Sequence, residues 1–413
     1  MRRVVITGMG IWSSIGQDLQ TVTESLKKGR SGIIFDPSRI EYGLQSGLVG
    51  NVPRPDLKLQ LRHSDRIMLS EDAEYAYMAA CQALQQAGLN EDYRQNNELG
   101  IIWANDTNSH LHEFTRIMED EHCPALIGYN ALPKSAVASA VINLSRLLHL
   151  TGISMNINAA CPGGIHAAGV ASMYIRSGIQ DTILIGGSFE TNKESLYHLV
   201  NDVQIIPEYN YDAKPASSSR PFDRAAVGAI PSGGAAAVVL EEYEHAKARG
   251  AKIIAEVVGY GFANEFMEAY YRPIWRAQLR AMEKALRDAD LEVKDLSLIV
   301  SYADSWPLSD QSEAIALHHL CNKYATPITA TESMTGHEGT MSGVARMVYA
   351  ALMMQHNFMA PTLNLVSPID EAEDLHIITT TEESSINNVL INAGGIGGIY
   401  NAIILKNHDT KLP

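Results

Sequence analysis

One pattern occurs twice in this sequence, roughly 200 residues apart, and that repetition limits the possible folds more than any other feature. Ala-Cys-Gln-Ala-Leu-Gln-Gln-Ala-Gly-Leu at residues 80–89 resembles Ala-Met-Glu-Lys-Ala-Leu-Arg-Asp-Ala-Asp-Leu at 281–291. Each runs on into a Val/Ile/Leu-rich segment, Leu99–Trp103 in one case and Leu296–Val300 in the other. Thr182–Glu190 and Asn388–Gly398 match in the same way, as a strand followed by a glycine turn. Two similar halves are expected, 1–250 and 251–413. Further apolar runs at Val4–Gly10, Ala235–Leu240 and Ile253–Gly259 alternate with helical patterns, which predicts an α/β fold with buried strands. Tyr209–Arg220 and Asn264–Arg272 are expected to be surface insertions.

Composition narrows the function classes. With 413 residues, 46% of them hydrophobic, the chain can fill a large core, and no apolar run approaches the about 20 residues that span a bilayer. The N-terminus goes directly into a strand pattern, so a cytoplasmic protein without membrane insertion is expected. Cys81, Cys123, Cys161 and Cys321 form no CxxC pair, which predicts free thiols. His318, His319 and Cys321 lie too close along one predicted helix to converge, so no metal is expected, and no cofactor motif is present. A formal net charge of −15 opposes nucleic-acid binding.

One segment carries a chemical signature. Asn158-Ala159-Ala160-Cys161-Pro162-Gly163-Gly164 lies between the apolar strand Ile153–Ile157 and a small-residue helix over His166–Ile175. Such an elbow presents a cysteine at a helix N-terminus, where unpaired amides and the helix dipole favour an anionic sulfur or an oxyanion.

The elbow resembles the nucleophile loop of β-ketoacyl-acyl-carrier-protein synthases, and the resemblance extends over nearly the whole chain. Val4–Gly10 looks like that family's first strand. Leu26–Gly32, Ser219-Arg220-Pro221-Phe222-Asp223, Met334-Thr335-Gly336-His337 and the glycine-rich loop Asn392–Gly398 are similar to its later motifs. The resemblance implies a duplicated thiolase-like fold, layered α-β-α-β-α and usually dimeric, with acyl carrier protein as partner. It also implies that Cys161 is the acyl-bearing nucleophile and His337 one of two catalytic histidines.

Several positions depart from the pattern. Tyr302 stands where the second histidine belongs, so it is expected as an altered hydrogen-bond donor. Asp304 and Trp306 take the places of two pantetheine-binding threonines. Glu332 replaces an active-site lysine and is expected to weaken the Cys161 nucleophile. In the C-terminal loop Ile396, between Gly395 and Gly397, replaces a gating phenylalanine. Arg62, His63 and Arg66 form a small basic cluster suited to an acidic carrier protein.

Two functions fit these residues. The first is a non-condensing subunit resembling chain-length factors, paired as a heterodimer with an active ketosynthase to shape its acyl tunnel. The second is an active acyltransferase, homodimeric as the family usually is, that uses Cys161 and His337 with Tyr302 as altered donor. The loss of a donor and of carrier contacts makes the first the expected function and the second its alternative, with the retained cysteine the main objection to the first.

Overall fold

The computed structural model of the protein describes residues 2–106, 110–192, 211–266, 274–321 and 323–408. Of the two expected insertions, residues 209–210 and 267–272 therefore lie outside the described residues, while Tyr211–Ala213 and Pro215–Ser217 form short 3₁₀ turns.

Among the described residues, ten strands form one sheet. In chain order they are β1 (Val4–Trp12), β2 (Gly100–Ala104), β3 (Ser154–Ile157), β4 (Thr182–Phe189), β5 (Gly234–Glu242), β6 (Ala255–Asn264), β7 (Leu298–Val300), β8 (Ile328–Thr329), β9 (Asn388–Gly395) and β10 (Ile399–Asn407). The spatial order is β8-β7-β9-β10-β6-β1-β5-β4-β2-β3. Outward from the centre, β1-β5-β4-β2-β3 on one side is matched by β6-β10-β9-β7-β8 on the other. The directions match too: on each side the first two pairings are antiparallel and the outer two parallel. The two sides are joined by a short antiparallel pairing of Val4–Ile6 in β1 with Ala255–Val257 in β6.

Six helices are needed to describe the layers: α1 (Glu71–Gln86), α2 (Ser139–Leu147), α3 (Gly163–Arg176), α4 (Trp275–Ala289), α5 (Pro307–Cys321) and α6 (Ser342–His356). Helices α1 and α2 pack with Trp103, Leu184 and Val239 on one outer face. Helices α4 and α5 pack with Ile299, Leu390 and Ile404 on the other. Between them lies the largest core, in which α3 and α6 meet Ile6, Ile102 and Val238 from one side and Val257, Val300 and Ile391 from the other. The arrangement is five layers, α-β-α-β-α.

The repeat seen in the sequence has a steric cause. A Cβ at Gly8 or Gly10 of β1 would lie 2.1 Å from Ala83 O or 2.0 Å from Ala79 O of α1. At Gly259 or Gly261 of β6 it would lie 2.2 Å from Ala285 O or 2.0 Å from Ala281 O of α4. The same glycine pair therefore admits the same alanine-faced helix twice. Each helix is followed by a left-handed residue, Gly88 in one case and Asp290 in the other. In the middle layer, a Cβ at Gly164 would meet Val344 N at 2.9 Å and one at Gly343 would meet Ile165 N at 2.7 Å. Helices α3 and α6 thus touch backbone to backbone near their N-termini, which brings together the loops that precede them.

Candidate active site

Those loops carry the candidate catalytic residues. After β3 the chain turns through Ala160, whose φ of +53° is left-handed, and the Gly163 amide donates to Ala160 O at 2.8 Å. This closes the elbow and leaves Cys161 half-buried just ahead of α3, which begins three residues earlier than the sequence pattern indicated. The glycine-rich loop lies against it: a Cβ at Gly395 would come within 2.5 Å of Pro162 Cδ and 3.5 Å of Cys161 N. Ile396, in the following turn Ile396–Gly398, is 48% exposed, and Gly397 has a left-handed φ of +77°.

His337 arrives from the other half and is fixed through its backbone. Its amide donates to Ile230 O at 2.7 Å and its carbonyl accepts from Ser232 N at 2.9 Å. Gly336 before it has φ +75°, and a Cβ there would stand 2.7 Å from Ile230 O, so this turn calls for glycine. The imidazole Nε2 then lies 3.0 Å from Cys161 Sγ.

Behind the imidazole stand two carboxylates. Nδ1 is 3.1 Å from Glu332 Oε2 and 3.1 Å from Asp304 Oδ2, and all three side chains are buried. Glu332 spends its other oxygen on Arg346 of α6, at 2.6 Å and equally buried. From the sequence alone the Glu332 charge is expected to act against the thiol. The structure interposes the ring of His337 and supplies a guanidinium, so Glu332 acts on the imidazole instead. Burial by itself would lower the His337 pKa. The charges of Cys161 and Glu332 and the hydrogen bonds of Asp304 and Cys161 outweigh it and push the pKa well above the ordinary histidine value. A protonated imidazole beside the sulfur, oriented by a carboxylate, is the geometry of an activated cysteine nucleophile.

Asp304, Glu332 and His337 are also the one group of three ligand-type side chains, among the described residues, whose donor atoms lie within 4.8 Å of one another. In the present arrangement an Nδ1 proton shared by two carboxylates satisfies the same atoms. Next in the chain, Glu338 is buried and accepts from Tyr349 Oη at 2.8 Å. Burial, with the charge of Glu332 added, pushes its carboxyl up to about 8.

Tyr302 is directed elsewhere. Its hydroxyl accepts from Gln278 Nε2 of α4 at 2.9 Å and from Ser309 Oγ of α5 at 3.2 Å, and its ring packs with Tyr400, Ala277 and Ala281. These contacts lie in the outer helical layer. Burial, and then the nearby Tyr400 and Glu313, keep the phenol well above its usual pKa and therefore neutral. Asp304, two residues on, is the member of this loop that reaches His337. The Trp306 amide donates to Asp304 Oδ1 at 3.1 Å. A left-handed Ser305, φ +76°, lies between them.

Arg346 and Asp106 belong to none of the motifs recognised in the sequence. Asp106 follows β2 beside the elbow, where the Asn105 amide donates to Ile157 O at 3.3 Å and Asn156 Nδ2 donates to Asn105 O at 3.2 Å. Burial pushes its carboxyl up to about 6, while its own backbone amide and, less, the charge of His337 draw it back down. An acidic residue ending an apolar strand next to the nucleophile loop was the available signal.

Comparison with known proteins gives a consistent result. The family model described as "Beta-ketoacyl synthase, N-terminal domain" matches residues 1–246, and "Beta-ketoacyl synthase, C-terminal domain" matches 254–366. The 3-oxoacyl-[acyl-carrier-protein] synthase 1 of Haemophilus influenzae is 32% identical over 99% of this chain and 100% of its own length. That of Escherichia coli K12 is 32% identical over 98% and 99%. Among solved structures, a β-ketoacyl synthase from Burkholderia phymatum superposes with a TM-score of 0.91 at 27% identity, covering 98% of this chain and 100% of that one. The ishigamide ketosynthase/chain length factor gives 0.89 at 25% identity, covering 98% and 99%.

Proposed function

Because the chain belongs to the β-ketoacyl synthase family, we propose that it is an acyltransferase that takes an acyl chain from acyl carrier protein onto Cys161 and is a poor catalyst of decarboxylative condensation. The observation that carries this reading is the contact of Cys161 Sγ with His337 Nε2 at 3.0 Å, backed at Nδ1 by Glu332 and Asp304. A relic cysteine has no use for an oriented, protonated imidazole held by a buried carboxylate–guanidinium pair. In the loading step the Cys161 sulfur attacks the thioester carbonyl of the acyl carrier and expels the pantetheine thiolate. The His337 imidazolium supplies the proton that this thiolate takes up. The N-terminal end of α3, which begins at Gly163, favours the negative charge that develops there.

Condensation makes a further demand. Decarboxylating a malonyl thioester moves charge onto its carbonyl oxygen, and fixed donors must receive it. His337 is one such donor. In place of the second, the Tyr302 hydroxyl is held in the outer helical layer, where it accepts from Gln278 and Ser309. Asp304 adds a second carboxylate beside that donor, and negative charge there disfavours an anionic extender.

A second reading is supported by the same retraction of Tyr302 and by the likeness to a ketosynthase/chain length factor structure: the chain pairs with an active ketosynthase as a heterodimer and shapes its tunnel. In both readings residues 1–250 supply the elbow, residues 251–413 supply His337 and the glycine-rich loop, and acyl carrier protein is the partner in the cytoplasm. No helix among the described residues is long and apolar enough to cross a membrane.

Intact-mass measurement of the purified protein after exposure to acyl carrier protein thioesters tests the first reading. One acyl adduct on Cys161 is expected, absent in Cys161→Ala. An unmodified protein that alters the product length of a co-expressed ketosynthase would support the second reading and sink the first.

A further inference from the structure

Asp106 is not used by this mechanism, yet it is close to it. Its Oδ1 is buried and, among the described residues, has no hydrogen-bond partner. A buried carboxylate oxygen left without a donor carries an uncompensated desolvation cost, and native structures keep such groups where a water, an ion or a ligand completes them. The place is informative. Asp106 lies just past the C-terminal end of the parallel strand β2, whose neighbour β3 leads into the Cys161 elbow. In α/β sheets this is the end at which ligands bind. The starting glycine of α3 closes one side, since a Cβ at Gly163 would touch Ala104 Cβ at 3.3 Å. The charge of His337 is felt at this carboxylate as well.

We infer that Asp106 is a specificity residue that accepts a hydrogen bond from a hydroxyl or ammonium group on the substrate, so that the site selects acyl chains bearing such a donor over plain hydrocarbon chains. The inference rests on the acyltransferase reading. A carboxylate offers acceptors only, so its complement must be a donor. A saturated chain packed against it would leave the oxygen buried and unpaired, which is the kind of mismatch that a site built around a hydrogen bond rejects most strongly.

Binding to non-reactive analogues separates this inference from the chemistry. Pantetheine amides, with nitrogen in place of the thioester sulfur, cannot acylate Cys161. A ladder of chain lengths, each ending in methyl, hydroxyl or ammonium, is titrated calorimetrically into the full-length protein. At the chain length that reaches Asp106, a donor-ended analogue is expected to bind about tenfold or more tightly than its methyl counterpart. Asp106→Leu should abolish or invert that preference. Asp106→Asn, which preserves shape, should keep part of the hydroxyl preference and lose the ammonium preference. A preference for hydroxyl alone identifies a hydroxyacyl chain, and a stronger one for ammonium identifies an amine. Equal binding of all three ends at every length, no binding by any analogue, or a preference that survives in Asp106→Leu overturns the inference. A failure of acyl carrier thioesters to label Cys161 would instead count against the underlying reading.

Discussion

The two sides of the catalytic loop region differ in where their polar atoms are committed. On the His337 side every group points toward the sulfur: Arg346 holds Glu332, Glu332 and Asp304 hold Nδ1, and Nε2 meets Cys161. On the Tyr302 side the polar atoms point away, into α4 and α5. One half of a two-donor site has been kept and buttressed, while the other has been absorbed into packing. On the proposed acyltransferase reading, this difference allows the nucleophile to be loaded and leaves condensation poorly supported.

The comparison breaks most visibly if His337 is removed. His337→Ala should slow acyl loading of Cys161 by about 10³-fold, measured by rapid-quench mass spectrometry. A loss below about tenfold would show that the imidazole is a bystander. Arg346→Met leaves Glu332 buried without its counter-charge and should cost about 3–5 kcal/mol of unfolding free energy, read from denaturant midpoints. A near-neutral result would mean that Glu332 draws its compensation from His337 alone.

The Tyr302 side should respond more weakly and through packing. A Cβ at Gly394 would stand 2.6 Å from the Tyr302 ring, so Gly394→Ala should destabilise by about 1–3 kcal/mol. Tyr302→His places an imidazole among Gln278, Ser309 and Ser312, and should raise malonyl decarboxylation by less than about tenfold. A larger gain would show that this pocket opens onto the nucleophile after all.

The buried acids sharpen the picture at the level of the whole fold. Burial raises Glu313 to about 7, and Glu338 and Asp72 to about 8, and the His337 pKa is raised as well. For groups raised on folding, the contribution to stability is present below their unfolded values and is lost as pH rises through the folded ones. The melting temperature should therefore fall between about pH 6 and 9, and a melting temperature that rises over this range would contradict the buried, protonated state of these acids.

Much of this was legible in the sequence for physical reasons that act locally. The Gly-x-Gly strands and alanine-faced helices repeat because each half must solve the same close-packing problem, so the duplication could be read at residues 80–89 and 281–291. The elbow could be read because a nucleophile turn needs small residues on both sides of Cys161. What could not be read was direction. Tyr302 takes the place of a catalytic histidine in the chain, but its longer side chain finds donors in the outer layer. Glu332 looked like a charge set against the thiol because its partner Arg346 lies 14 residues away, on a different helix. Asp106 showed nothing in the sequence beyond its position at a strand end.

The central claim, that His337 and its carboxylates hold Cys161 as an activated nucleophile, is tested most directly by the pH dependence of iodoacetamide alkylation mapped to individual cysteines. Because the raised His337 pKa keeps the imidazole protonated through neutrality and Nε2 lies 3.0 Å from the sulfur, Cys161 should be the fastest-reacting thiol at neutral pH. Cys321, whose thiol burial pushes up to about 11, should stay almost unlabelled in the same samples. A Cys161 rate that is slow at neutral pH and climbs about tenfold per pH unit, as an unassisted thiol does, would contradict the account.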